Sequence, residues 1–241
     1  MKTLLLKFSG PLQSWGTTSN FETRHTDRYP SKSAVIGLIA GCLGYRRDED
    51  DKIQQLNQLD FGVRIDQDGG MLRDYHIVKK YKNTGALDRT YVTNRYYLED
   101  GVYVVAIGHE DDDWIDHIQQ ALRYPYYQPF IGRRSLPLTA DFLIGDFESS
   151  VVECLQTYPW QAAPWYKQQH SNILSAYVDS DLVASGNHRM RQDRVESFSV
   201  EGRRFGFRGE TEITIQATSE ILPSSKVIEE LDFFIEGGGE S

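Results

Sequence analysis

The order of hydrophobic periodicities in the first 146 residues leaves this chain few folds to adopt. Residues 3–8 (TLLLKF) form a short apolar run that stops at Gly10-Pro11, as a central strand entering a turn does. After Pro30-Ser31, Val35, Leu38, Ile39, Cys42 and Leu43 recur at spacings of three and four, which predicts a helix packed by one face and ending near Gly44. Residues 51–59 read as a second short helix, and 61–65, with Phe61, Val63 and Ile65 alternating, as a strand. Residues 72–97 have two arms rich in Tyr, Val, Thr and Ile around a Lys82-Asn83-Thr84-Gly85 centre, the pattern of a long β-hairpin. Residues 102–107 are a strand. Residues 111–122 are a helix with Trp114, Ile115, Ile118 and Leu122 on one stripe and acids in its first turn, and a further strand is expected within 130–144.

The order approximates β-α-β-β-α-β. The expected fold class is therefore α+β: a ferredoxin-like, RRM-like core over residues 1–146 with an inserted hairpin at about 72–97. A smaller β-rich region should follow at 147–241, with 212–216 alternating and a frayed, acidic, glycine-rich end. Such a fold hosts many functions and by itself assigns none.

With 39% apolar and 25% charged residues, the 241-residue chain can bury a sizeable core. Its longest nearly uncharged apolar stretch, 34–44, is far below the roughly 20 residues of a membrane helix. The run 1–7 is too short for a signal peptide, so a cytoplasmic location without membrane contact is expected. Cys42 and Cys154 lie far apart without a CxxC partner and read as core packing rather than as a zinc site or disulfide. A net charge of −9 argues, on average, against a nucleic-acid partner. The average hides an alternation. Residues 1–47 hold 7 basic and 2 acidic side chains, 71–95 hold 6 and 2, 123–134 hold 3 and none, and 187–208 hold 6 and 3. The stretches 48–70, 99–120, 135–185 and 209–241 are acidic in turn, so folding can gather cations on one face, although linear blocks need not converge in space.

No P-loop, dinucleotide, HExxH or GxSxG motif and no Cys/His cluster is present, so neither a metal nor a cofactor is expected. Of six scattered histidines, only His76, with Tyr75 and Lys79 near it in RDYHIVKK, suits general acid-base cleavage of RNA. Residues 9–30 form a long polar connection carrying Arg24, His25 and Arg28, and long ordered loops are usually functional. Lys32 and Ser33 fall in the first turn of the helix after Ser31, where free N–H groups hold phosphates; Ser31 acting simply as N-cap is the alternative. The hairpin sets Arg73, Lys79, Lys80, Lys82, Arg89 and Arg95 beside Tyr75, Tyr81, Tyr91 and Tyr96, offering phosphate neutralisation and stacking. An ordinary edge hairpin guarded by lysines has the same composition. In Phe130-Ile131-Gly132-Arg133-Arg134-Ser135, a glycine permits close backbone approach, paired arginines fork to phosphates and a hydroxyl adds a donor.

In combination, LLLKFSGPLQSWG, then Arg24, Arg28 and PSKSAVIGLIAGCLG, then LRDYH and YYQPFIGRRSLPL, resemble the CasD family, the type I-E CRISPR Cascade subunit of the RAMP superfamily. The likeness runs in order from about residue 4 to 145, and MRQDRVESFSVEGRRFGFR resembles the family's C-terminal basic segment more loosely. The resemblance implies a ferredoxin-like core with a hairpin thumb that grips the 5′ handle of CRISPR RNA in antiviral defence. It implies as partners the repeated backbone subunit and the large subunit of Cascade, with target DNA met through the complex. On this likeness Gln13, Ser14, Trp15 and Gly16 with Arg24, Arg28, Lys32 and Ser33 would line the handle. Arg73, Tyr75, His76, Lys79, Lys80, Arg95 and Tyr96 of the thumb would cover it, Gly132, Arg133, Arg134 and Ser135 would hold its phosphates, and bases would stack on Trp15, Tyr75 or Tyr96. The likeness implies a binder without enzyme activity, since a separate endoribonuclease cuts the repeat in type I-E systems. The related type I-C subunit cuts, which keeps a metal-independent repeat endoribonuclease using Tyr75, His76 and Lys79 as the alternative.

Overall fold

A computed structural model describes residues 1–16 and 22–218. The chain opens with β1 (Lys2–Phe8), followed by the two-residue strands β2 (Leu12–Gln13) and β3 (Thr23–Arg24). Next come α1 (Lys32–Cys42), α2 (Asp50–Gln55) with a 3-10 turn at Leu56–Gln58, β4 (Asp60–Gln67) and the hairpin β5 (Gly70–Tyr81) and β6 (Leu87–Glu99). Then follow β7 (Val102–His109), α3 (Asp112–Arg123), β8 (Leu143–Phe147), α4 (Val151–Thr157), α5 (Pro164–Gln169), β9 (Ile173–Asp179), β10 (Asn187–Ser197) and β11 (Arg204–Gln216).

One antiparallel sheet carries the molecule, in the order β10-β11-β9-β4-β7-β1-β8. Its middle, β4-β7-β1-β8, has the ferredoxin-like arrangement, with the first and third core strands central and the thumb inserted between the second and third. β1 is apolar on both faces because both are covered. Leu4, Leu6 and Phe8 meet Ile36 and Ile39 of α1 and Ile115, Ile118 and Leu122 of α3, whereas Leu5 faces Val151, Cys154 and Leu155 of α4.

Two sequence expectations need correction. The fourth core strand begins only at Leu143; Phe130 and Pro137 instead close a turn through an isolated bridge. The β-rich region after 146 joins the core sheet, with β9 paired to β4, β11 to β9 and β10 to β11, and its Val195 packs in the same core as Phe8. It also contains α4 and α5, which the expectation of a β-rich region left out. Ser150 caps α4 by accepting from the Glu153 N–H, so Ser150 and Glu153 carried the S-x-x-E helix-start signature.

The C-terminal strands are fastened by buried charge. Arg208 donates to Asp193 Oδ1 and Oδ2 at 3.0 Å each, to Asp179 Oδ1 at 2.7 Å and to Glu210 Oε1 at 3.0 Å. Burial works against its charge, yet the hydrogen bonds and field of Asp193, then Asp179 and Glu210, hold its pKa above the ordinary arginine value.

Candidate nucleic-acid interface

The thumb follows from cross-strand register. Side chains alternate between faces, so residues paired across β5 and β6 share one. Leu72, Asp74, His76, Val78 and Lys80 share a face with Tyr97, Arg95, Thr93, Tyr91 and Arg89; Arg73, Tyr75, Ile77 and Lys79 share the other with Tyr96, Asn94, Val92 and Thr90. Tyr97 and Leu98 anchor the base in the core, and toward the tip Tyr75, Ile77, Val78 and Tyr81 are exposed. Gly85, at φ +81°, supplies the left-handed residue of the turn.

This alternation separates the residues of the cleavage alternative. Tyr75 and Lys79 lie on the face opposite His76, and the His76 imidazole is hydrogen-bonded to the Asp74 carboxylate. Lys80 is on the His76 face, 3.4 Å from Asp88. Neither cysteine offers a nucleophile, because burial pushes both thiols up to about 11. Among the described residues, no group of three or more His, Cys, Asp or Glu is placed to hold a metal.

At the thumb base three distant segments meet. β3 runs parallel to β6, with Thr23 opposite Asn94 and Arg24 opposite Arg95, and the His25 ring stacks on Tyr96 at 5.4 Å between centroids and 10° between planes. Arg133 reaches in from the 130–137 turn. Its Nη2 donates to Tyr96 O at 2.9 Å and to Arg24 O at 3.3 Å, its guanidinium lies 4.0 Å from the Tyr97 ring centroid, and Nη1 is buried without a partner among the described residues. Tyr103 Oη donates to Arg28 O at 2.9 Å, fixing the backbone beside that arginine. Arg24, Arg28, Arg95, Arg134, Ser135 and Gly16 are exposed, and none of the arginines among them has an ion-pair partner among the described residues. Arg73 is exposed too, with Nε donating to Asn94 Oδ1 at 3.0 Å.

Several expected contact residues are instead the floor beneath this surface. Trp15 is 1% exposed, edge-on to Phe8 at 5.0 Å, with its indole N–H donating to Gln13 Oε1 at 3.0 Å, so it offers no face to a base. Gln13 Nε2 donates to Gly101 O at 2.6 Å, and both Gln13 and Ser14 are buried. Gly132, at φ +77°, spends its close approach on the chain itself: a Cβ there would collide with Ser14 O. Lys32 and Ser33 are buried; the Lys32 ammonium donates to Asp179 Oδ2 at 2.9 Å, and its backbone N–H donates to Asp193 Oδ2 at 2.9 Å. The protein's own carboxylate thus occupies the α1 N-terminus where a phosphate was expected. Part of the C-terminal basic block is turned inward as well: Arg208 is buried, Arg191 is half-buried, and both bond Glu210, as does the exposed Arg189, whereas Arg194, Arg203 and Arg204 face outward. Sequence reasoning missed the His25–Tyr96 stack and the carbonyl-bridging role of Arg133; only the long connection and the arginine pair hinted at them.

Residues 3–209 match a family model described as CRISPR-associated protein (Cas_Cas5). The CRISPR system Cascade subunit CasD of Escherichia coli (strain K12) is 35% identical over 168 residues, which are 61% of this chain and 72% of that protein. A chain of a CRISPR RNA-guided surveillance complex superposes with a TM-score of 0.75 at 26% identity, covering 96% of this chain and 98% of that one. A Cas protein crystal structure superposes with a TM-score of 0.64 at 29% identity, covering 90% and 100%.

Proposed function

Starting from the fact that this chain belongs to the CRISPR-associated Cas5 family, we propose that it is a non-catalytic RNA-binding subunit of a type I-E Cascade complex. In this reading it grips the single-stranded 5′ handle of the CRISPR RNA at the thumb base. It caps the repeated backbone subunits, meets the large subunit, and encounters target DNA only through the assembly. The observation that carries the reading is the Arg133 junction, which ties the Arg24 backbone, the thumb base and the 132–135 turn together beside the exposed Arg24, Arg95 and Arg134, none of which has an ion-pair partner among the described residues.

An unpaired RNA strand exposes phosphates and base faces rather than a readable groove. Arginine forks spaced over a rigid junction suit its phosphates, and the His25–Tyr96 stack provides a platform for a base. Tyr75, Lys79 and Arg73 then continue one face of the thumb over the strand, with Lys80 and Arg95 on the other. The split of Tyr75 and Lys79 from His76 supports binding over cleavage.

The test is fluorescence anisotropy with a repeat-derived single-stranded RNA. Replacing Arg24 and Arg134 together with alanine is expected to weaken binding by about tenfold or more, since each removes a phosphate contact. Unchanged affinity would count against the reading. The same RNA incubated with the protein in EDTA should remain intact; cut ends would favour the endoribonuclease.

A further inference from the structure

We propose that Arg191, on β10 and outside the RNA surface, is a positioning residue that sets the pose of the Arg24–Arg28 segment, an inference that rests on the RNA-binding reading above. Its side chain is 12% exposed. Nη2 donates to Asp27 Oδ2 at 2.9 Å and to Tyr29 O at 3.5 Å, Nη1 donates to Glu210 Oε1 at 3.2 Å, and the guanidinium lies 4.4 Å from the Tyr29 ring centroid. Tyr29 is fixed again by its own Oη, which donates to Glu210 Oε2 at 2.9 Å, and by stacking on Tyr177 at 4.3 Å and 1°.

One planar group therefore holds the residues on both sides of Arg28 and ties them to a fully buried carboxylate on β11. Arg28 itself stays exposed. A lysine at position 191 has the charge but not the fork, so it can reach Asp27 or Glu210 and not both with the same geometry. The arrangement fixes the backbone on both sides of Arg28 before RNA arrives, so the cost of ordering that loop is not charged against binding.

The experiment compares Arg191→Gln and Arg191→Lys with wild type, each alone and on an Arg24→Ala/Arg28→Ala background. Arg191→Gln is expected to weaken single-stranded RNA binding about tenfold in the wild-type background, as if two phosphate contacts were lost. On the Arg24→Ala/Arg28→Ala background it should cost less than about twofold, because coupled sites are not additive. Arg191→Lys should unfold at a higher temperature than Arg191→Gln yet bind RNA no better. Equal losses on both backgrounds, or full affinity restored by lysine, would overturn the proposal, since a purely structural or purely electrostatic role behaves that way. Hydrogen exchange at the amides of residues 24–29 decides the matter without RNA: faster exchange in Arg191→Lys supports the lock, and unchanged exchange overturns it. A wild-type protein that binds no RNA would sink the functional reading and leave that exchange comparison intact.

Discussion

The thumb base and the C-terminal hairpin are built from the same residue type put to opposite uses. Around β10 and β11, Arg208, Arg191 and Arg189 each have one or more carboxylates, drawn from Asp27, Asp179, Asp193 and Glu210, and Lys32 joins them from α1. At the thumb base, Arg24, Arg28, Arg95 and Arg134 are exposed and make no ion pair among the described residues. Buried pairs offset their desolvation only while every partner is present; unpaired surface arginines contribute little to stability and keep their donors for a polyanion. One region thus holds the fold and the other remains available for binding.

The largest effect expected of this contrast is at Arg208. Arg208→Ala leaves Asp193, Asp179 and Glu210 facing one another without their shared cation, and should cost about 3–5 kcal/mol in denaturant unfolding. RNA affinity per folded molecule should change far less, and a proportional loss of affinity would erase the distinction between the regions. Gly132→Ala comes next, because it places a side chain both in the left-handed region and against Ser14 O. A loss of about 3 kcal/mol is expected, with weaker RNA binding, because this junction serves fold and surface together. Arg95→Ala should move stability by less than about 0.5 kcal/mol while lowering RNA affinity. An unfolding shift as large as that of Arg208→Ala would show that Arg95 belongs to the structural set.

The smallest effect is at Asp60, beside the ion cluster. Burial, then the Asp179 and Asp181 carboxylates, raise its pKa above the ordinary value. A carboxyl that holds its proton more tightly when folded penalises the native state as pH rises through its unfolded and then its folded pKa. Asp60→Asn should therefore raise the melting temperature modestly at neutral pH, with the gain shrinking as pH falls from the raised folded pKa toward the ordinary carboxylate value and absent below it. A gain independent of pH would mean that packing, not charge, is responsible.

The core was legible in the sequence because hydrophobic period maps directly onto strand and helix. Residues 3–8, the 35–43 stripe and the 111–122 stripe all sit where their spacing placed them. The thumb was legible from its two arms and turn. Its two faces follow from pairing register, which composition does not supply, so Tyr75, His76 and Lys79 looked like a cluster along the chain although strand alternation divides them. Burial of polar residues was the main illegible quantity. Gln13, Lys32 and Arg208 have surface chemistry but interior partners, and those partners, Gly101, Asp179 and Asp193, lie 88, 147 and 15 residues away. A charge count by segment sees the cations of 187–208 without seeing that Glu210 and Asp179 claim several of them.

The decisive measurement is the salt dependence of single-stranded RNA binding, taken as the slope of log affinity against log salt. Replacing Arg24, Arg28, Arg95 and Arg134 with alanine should make the slope shallower by about 3, from roughly 0.7 per lost phosphate contact on a single strand. Arg208→Ala, measured where it remains folded, should leave the slope as in wild type. A quadruple variant whose slope equals that of wild type, or an Arg208→Ala slope as shallow as the quadruple's, would contradict the assignment of binding to the unpaired arginines at the thumb base.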